Sequence, residues 1–175
     1  MRACVAEEGD FRPTLLLERL TDAGVDYVVI GGVAVTVQAG ARFTKDLDLC
    51  YAPEVQNRRR LGQLLIDLGA TLRGVEEDLP FVPDERTLAR TQILTLSTDL
   101  GGLDLLVDPA GSPGWKALRR RADVIELSGR RVPVAAIDDL LAMKRAAGRP
   151  QDLVDVEALE AAKRIRPRTS GPRLS

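Results

Sequence analysis

The stretch from Tyr27 to Tyr51 constrains this chain more than any other. It opens with Tyr27-Val-Val-Ile30, breaks at Gly31-Gly32, and closes, after a polar turn, with Asp46-Leu-Asp-Leu-Cys-Tyr51. The first segment is apolar and β-branched and reads as a buried strand. It turns into a short helix, Val33 to Ala39, which Gly40 ends. The last segment alternates carboxylate and leucine, so as a strand it puts Asp46 and Asp48 on one face and Leu47 and Leu49 on the other. The two aspartate Cα atoms would lie about 6.6 Å apart, so both carboxylates can reach one divalent cation. Like charges this close repel strongly at low dielectric unless water or a metal ion offsets them. The same interval occurs at Glu8/Asp10, Glu76/Asp78 and Asp155/Glu157, but only Asp46/Asp48 sits in an apolar strand.

Two glycines between a strand and a helix let a ligand approach the backbone closely. The helix start offers unpaired N–H groups and a partial positive charge, which suit a phosphate. A Gly-Gly turn alone is more often only a tight turn; the aspartates downstream give it a chemical meaning. A pair of cations about 4 Å apart needs a third acid, and Gly102-Leu-Asp-Leu-Leu-Val-Asp108 offers two. Asp104 and Asp108 would stand about 13 Å apart along a strand, too far for both to serve. Asp104 lies within the strand between leucines, whereas Asp108 precedes Pro109 and reads as a turn residue. Asp104 is the third acid of choice.

The rest of the chain supports a mixed α/β fold with a small sheet. Helices are expected over Pro13 to Ala23, Glu54 to Leu68, Trp115 to Arg121, Ile137 to Ala147 and Pro150 to Lys163. Strands are expected over Thr91 to Ser97 and Leu103 to Val107, joined by a tight Gly101-Gly102 turn, and a hairpin over Val124 to Leu127 and Val132 to Ala135. We divide the sequence into a domain at 1–136, a helical extension at 137–164 packed on it, and a basic tail at 165–175 whose Pro/Gly/Ser content suggests disorder.

What is missing excludes as much. The chain has 175 residues and no histidine, which removes histidine-based hydrolase triads, histidine general bases and histidine-ligated zinc together. Its two cysteines, Cys4 and Cys50, offer neither a disulfide framework nor a CxxC metal site, and Cys50 reads as a small buried hydrophobe. Aromatics at 3% argue against a stacking platform, and a net charge of -1 against a basic nucleic-acid wrapper. With no apolar leader at the N-terminus and no apolar run long enough to span a bilayer, the expectation is a cytoplasmic protein without membrane contact.

Gly31-Gly32-x-Ala34, Arg42-x-Thr44-x-Asp46-Leu47-Asp48 and the later Asp104 together resemble the nucleotidyltransferase superfamily with the DNA polymerase β-like palm. Within it, the chain is most similar to the group of AbiEii and MenT toxins and their small relatives. Its segment Lys144-x4-Arg149-Pro-Gln-Asp152-x2-Asp155 is similar to that group's C-terminal motif, K-x4-R-x-K-D-x-x-D. The resemblance runs from about residue 26 to residue 160. It implies that Gly31 and Gly32 cradle a nucleoside triphosphate, and that Asp46 and Asp48 hold Mg²⁺, or Mn²⁺, with the phosphates. It implies that Asp104 binds a second ion or takes the proton of the attacking hydroxyl, and that Lys144 and Asp152 contact nucleotide or acceptor. Arg42, Thr44, Lys45 and Arg149 join the nucleotide-binding set. Two departures stand out: Gly32 replaces the serine of the commoner Gly-Ser version, and Gln151 stands where a basic residue is frequent.

The implied activity is Mg²⁺-dependent transfer of an NMP from an NTP to a hydroxyl, most simply a tRNA 3′ end, by the toxin of a toxin–antitoxin pair with a protein antitoxin as partner. Such a reaction needs charge neutralisation and alignment more than a covalent nucleophile, and a chain without histidine can perform it. The arginine clusters at 58–60, 119–121 and 130–131 fit an RNA acceptor and equally fit solvated helix faces. The alternatives are the same transfer to an antibiotic or a protein hydroxyl, and a palm that only binds. Antibiotic-modifying enzymes are expected to need more chain to enclose their acceptor.

Overall fold

The computed structural model describes residues 10–40, 43–75 and 80–166. Its centre is a seven-stranded mixed sheet in the order β3-β4-β5-β2-β1-β7-β6. The strands are β1 (Tyr27–Ile30), β2 (Asp46–Tyr51), β3 (Thr71–Leu72), β4 (Ile93–Thr98), β5 (Gly101–Leu106), β6 (Asp123–Leu127) and β7 (Arg130–Val134). The helices are α1 (Pro13–Asp22), α2 (Gly31–Ala39), α3 (Val55–Asp67), α4 (Glu85–Arg90), α5 (Trp115–Arg121), α6 (Ile137–Ala147) and α7 (Pro150–Ile165). The fold class is the mixed α/β one expected.

Strand β1 is buried at all four positions because it lies mid-sheet, antiparallel to β2 and parallel to β7. β2 and β5 behave differently. Leu47, Leu49, Leu103 and Leu105 are at most 1% exposed, while Asp46, Asp48 and Asp104 on the opposite face keep partial access to solvent. One face of these two strands therefore belongs to the core, and its removal from water supplies the drive that holds the other face in place. Helix α2 packs on β1 and β2 and also against α6 and α7. Asn57 of α3 ties the sheet together, accepting from the Asp26 N–H at 2.7 Å and donating to the Asp26 and Ala52 carbonyls.

Four expectations are corrected. Helix α2 starts at Gly31 rather than Val33, since Gly31 takes φ +64 and turns the chain at once. The β4–β5 turn falls on Asp99-Leu100, not on the glycine pair. Gly101 and Gly102 lie inside β5, where a Cβ on Gly101 would meet Phe11 Cα at 2.9 Å and one on Gly102 would overlap the Asp46 carboxylate. Strand β3 and helix α4 were not expected; α4 is opened by Asp84, whose side chain accepts from the Thr87 N–H at 2.9 Å. Helix α7 runs on to Ile165, into the segment read as tail; residues 167–175 lie outside the described residues, as do Cys4 and Arg42. Cys50 is buried, as expected, and its thiol is pushed up to about 12 by burial and by the nearby Asp108 charge. Among the described residues, no helix is long and apolar enough to cross a membrane.

Candidate active site

Strands β2 and β5 run parallel in a register that pairs Asp48 with Asp104 and Asp46 with Gly102. This register puts all three aspartates on one face at one end of the two strands, with Asp48 and Asp104 as direct cross-strand neighbours. Space for them comes from glycine. A Cβ on Gly31 would lie 2.5 Å from Asp48 Cγ, so Asp48 can occupy its position only because residue 31 has no side chain. The Gly32 N–H also donates to the Asp48 carboxylate. Replacing Gly31 with Ala sets a strained left-handed backbone against a displaced carboxylate. We expect Gly31→Ala to cut catalytic turnover about 100-fold and to lower the melting temperature, measured on the same preparation.

The electrostatics match a cation site. Burial raises the Asp48 carboxyl to about 6, reinforced by the Asp104 and Asp46 charges and opposed by Lys144. Burial also raises Asp104, with Arg73 pulling the other way. Hard oxygen donors whose charges are mutually unfavourable without a counter-ion suit a divalent metal.

The sequence reading missed Arg73. It follows β3, and its guanidinium reaches Asp46 Oδ1 at 2.8 Å and Asp104 Oδ1 at 2.5 Å, with a further hydrogen bond to the Leu96 carbonyl at 3.3 Å. Among the described residues, no three Cys, Asp or Glu side chains enclose a point where an ion would sit. At these acids Arg73 takes the place of a counter-ion, paired with Asp46 and with Asp104. No motif marks it in the sequence; it is a lone arginine after a two-residue strand.

The C-terminal motif supplies the opposite wall. Lys144 of α6 is 9% exposed at its side chain and bridges Asp152 at 3.2 Å and Asp155 at 2.8 Å, both from α7. Asp152 also accepts from the backbone N–H and Nε of Arg149, which caps α7. Burial would raise Asp152, but the hydrogen bonds from Arg149 and Lys144 outweigh it and hold the carboxyl down at about 2.

These groups surround one cleft of about 370 Å³, lined by Gly31, Gly32, Thr44, Lys45, Asp46, Asp48, Asp104, Lys144, Arg149 and Gln151, with Phe43 at its rim. Thr44 turns its hydroxyl onto the Asp46 carbonyl at 3.2 Å. Asp152 does not line the cleft: it is 1% exposed and lies behind Lys144 and Arg149.

Over residues 15–169 the sequence matches the family described as the nucleotidyl transferase AbiEii toxin of type IV toxin–antitoxin systems. The chain belongs to the AbiEii family. It is thus a nucleotidyltransferase, of a kind that uses an NTP and a divalent metal. Solved nucleotidyltransferases share the AbiEii chain's fold at low identity. The lincosamide antibiotic adenylyltransferase LnuA, in its lincomycin-bound structure, aligns at TM-score 0.60 and 17% identity, over 88% of this chain and 99% of that one. The antibiotic-resistance enzyme ANT(2″)-Ia, in complex with adenylyl-2″-tobramycin, gives 0.52 and 16%, over 86% and 89%. An antigenic nucleotidyltransferase-like protein from Paracoccidioides brasiliensis gives 0.52 and 19%, over 83% and 72%. No curated protein sequence matches the chain.

Proposed function

We propose that this AbiEii-family chain transfers an NMP from an NTP to the 3′-terminal hydroxyl of a tRNA, with Mg²⁺, in the cytoplasm, and that a partner antitoxin restrains it. The observation that carries the reading is the single cleft in which a diglycine helix start faces three strand aspartates, Lys144 and Arg149. The N-cap residue of α2, Ile30, supplies no side-chain cap, and this helix end, where the Gly32 N–H already holds Asp48, carries the partial positive charge that suits phosphate oxygens. Lys45, Lys144 and Arg149 add positive charge around the triphosphate, and Thr44 shapes the turn before β2. Asp46, Asp48 and Asp104 would hold the divalent cation, which neutralises phosphate charge and aligns the reacting oxygens. Arg73 has to release Asp46 and Asp104 for that. Asp152 is a positioning residue for Lys144 and Arg149.

In the reaction, the acceptor hydroxyl oxygen bonds to the α-phosphorus. The bond from that phosphorus to the α–β bridging oxygen breaks, pyrophosphate leaves with the electron pair, and a carboxylate of the set takes the hydroxyl proton. Incubating the purified protein with each labelled NTP, total tRNA and Mg²⁺ tests this. We expect one or more NTPs to label tRNA, and labelling with none of the four overturns the reading.

A small-molecule acceptor is the second reading, and one finding favours it over the sequence-based expectation. The alignment spans 99% of LnuA, so an antibiotic adenylyltransferase need not be longer than this fold. Resistance conferred on a sensitive host points to that acceptor, growth arrest to the toxin.

A further inference from the structure

A second cleft of about 300 Å³ opens beside the first, sharing Phe43, Lys45 and Asp46 with it and adding Asp10, Phe11, Arg73 and Ser97. We infer that this second cleft is the acceptor subsite and that it receives the unpaired 3′-terminal nucleotide of an RNA. The inference rests on the transferase reading above and specifies where its acceptor lies.

In-line displacement fixes the direction of approach: attacking and leaving oxygens stand on opposite sides of the phosphorus. With the triphosphate against Gly31, Gly32, Lys144 and Arg149, the α-phosphorus lies at the aspartates, and the attacking hydroxyl has to come from beyond Asp46. The second cleft adjoins the first at Asp46, which lines both together with Phe43 and Lys45. Its lining combines two aromatic rings, two cations and the carboxylates Asp10 and Asp46. The chain has three phenylalanines, and two of them, Phe11 and Phe43, line this cleft. Phe43 is 81% exposed, an aromatic face left in water beside Lys45 and Arg73. A base stacked on such a ring, with its phosphate near two cations, is the arrangement that binds unpaired strands without a sequence code. Arg73 fits both states of the site: it holds Asp46 and Asp104 in the structure described, and once released it lies where the acceptor's last phosphate would enter. Ser97 is half-buried on β4, pairs with Gly102 and Thr71, and forms the floor.

The test measures two affinities on each of three proteins: for a 5′-fluorescein single-stranded RNA twelve nucleotides long with a free 3′ hydroxyl, and for a non-hydrolysable NTP with Mg²⁺. In Phe43→Ala, which removes the ring, and Ser97→Phe, which fills the floor, we expect RNA affinity to fall about tenfold. Nucleotide affinity in Ser97→Phe should stay within about twofold of wild type. Unchanged RNA affinity in both variants, with nucleotide binding intact, overturns the subsite and leaves the transferase reading standing. A wild-type protein that binds nucleotide but not the RNA also overturns it, in favour of a small-molecule acceptor. Failure of the wild type to bind any NTP sinks both. Melting temperatures of the two variants, expected within a few degrees of wild type, separate loss of the site from loss of the fold.

Discussion

Asp48→Asn should reduce NMP transfer about a thousandfold, the equivalent of about 4 kcal/mol of transition-state stabilisation, without lowering the melting temperature. The two halves of this result have different causes. Activity falls because Asp48 is the carboxylate at the junction of the site: its cross-strand partner is Asp104, and its side chain rests on Gly31 and the Gly32 N–H. Asparagine keeps the shape and one oxygen but removes the charge that a cation and a triphosphate require. Stability holds because the deleted charge is repelled by Asp104 and Asp46 in the free protein, so neutralising it relieves strain. Asp108→Asn is the matched control. Asp108 lies past the end of β5 in a bend, and the variant should retain transfer within about twofold. Turnover of labelled NTP and thermal unfolding on the same three proteins decide it. An Asp48→Asn enzyme with ordinary turnover would refute the assignment of the site.

Lys144→Met should be the opposite kind of variant, one that loses stability as well as chemistry. The Lys144 ammonium lies between two carboxylates that are almost wholly out of water, Asp152 and Asp155. Removing it leaves buried negative charge without its partner, at a cost of about 3 kcal/mol, or about 9 °C in melting temperature for a domain of this size. The pH dependence gives the effect its signature. Asp152 is held at about 2 in the folded protein, below the unfolded value of about 3.9. Its ion pairs therefore stabilise fully above about pH 4, and that contribution is lost as the pH falls towards 2. The gap in melting temperature between wild type and Lys144→Met should be widest at neutral pH and should narrow as the pH falls from about 4 towards 2. A gap independent of pH would mean that Lys144 contributes through packing alone.

The parts of the molecule legible in its sequence are those where local pattern and tertiary environment demand the same residues. β2 is the clearest case, because its leucine–aspartate alternation is set by a core on one side and a site on the other. The diglycine turn, α6 and α7 are legible for similar reasons, each carrying both a periodic apolar face and a cap or break. β3 is not, since two residues have no period to display. The glycines of β5 misled for an instructive reason. Gly101-Gly102 has the composition of a turn, but its glycines are needed for what crosses them in space, Phe11 and the Asp46 carboxylate. Arg73 was invisible because its partners lie 27 residues before it and 31 after it in the chain. Asp152 was recognised as a member of a motif, but only the burial of its side chain separates support from direct contact.

The order in which the three acids and their lysine occur along the chain has a further consequence. During synthesis Asp46 and Asp48 leave the ribosome first, Asp104 follows more than fifty residues later, and Lys144 with α7 comes last. The parallel pairing of β2 with β5 spans that whole interval, and long-range parallel pairing is slow to form. A copy that ends before β5 consequently carries two of the acids on a strand paired only with β1, and lacks the third. A nucleotidyltransferase whose centre needs both strands and the last two helices is thereby inactive while it is being made, and its activity starts only when the whole chain has folded.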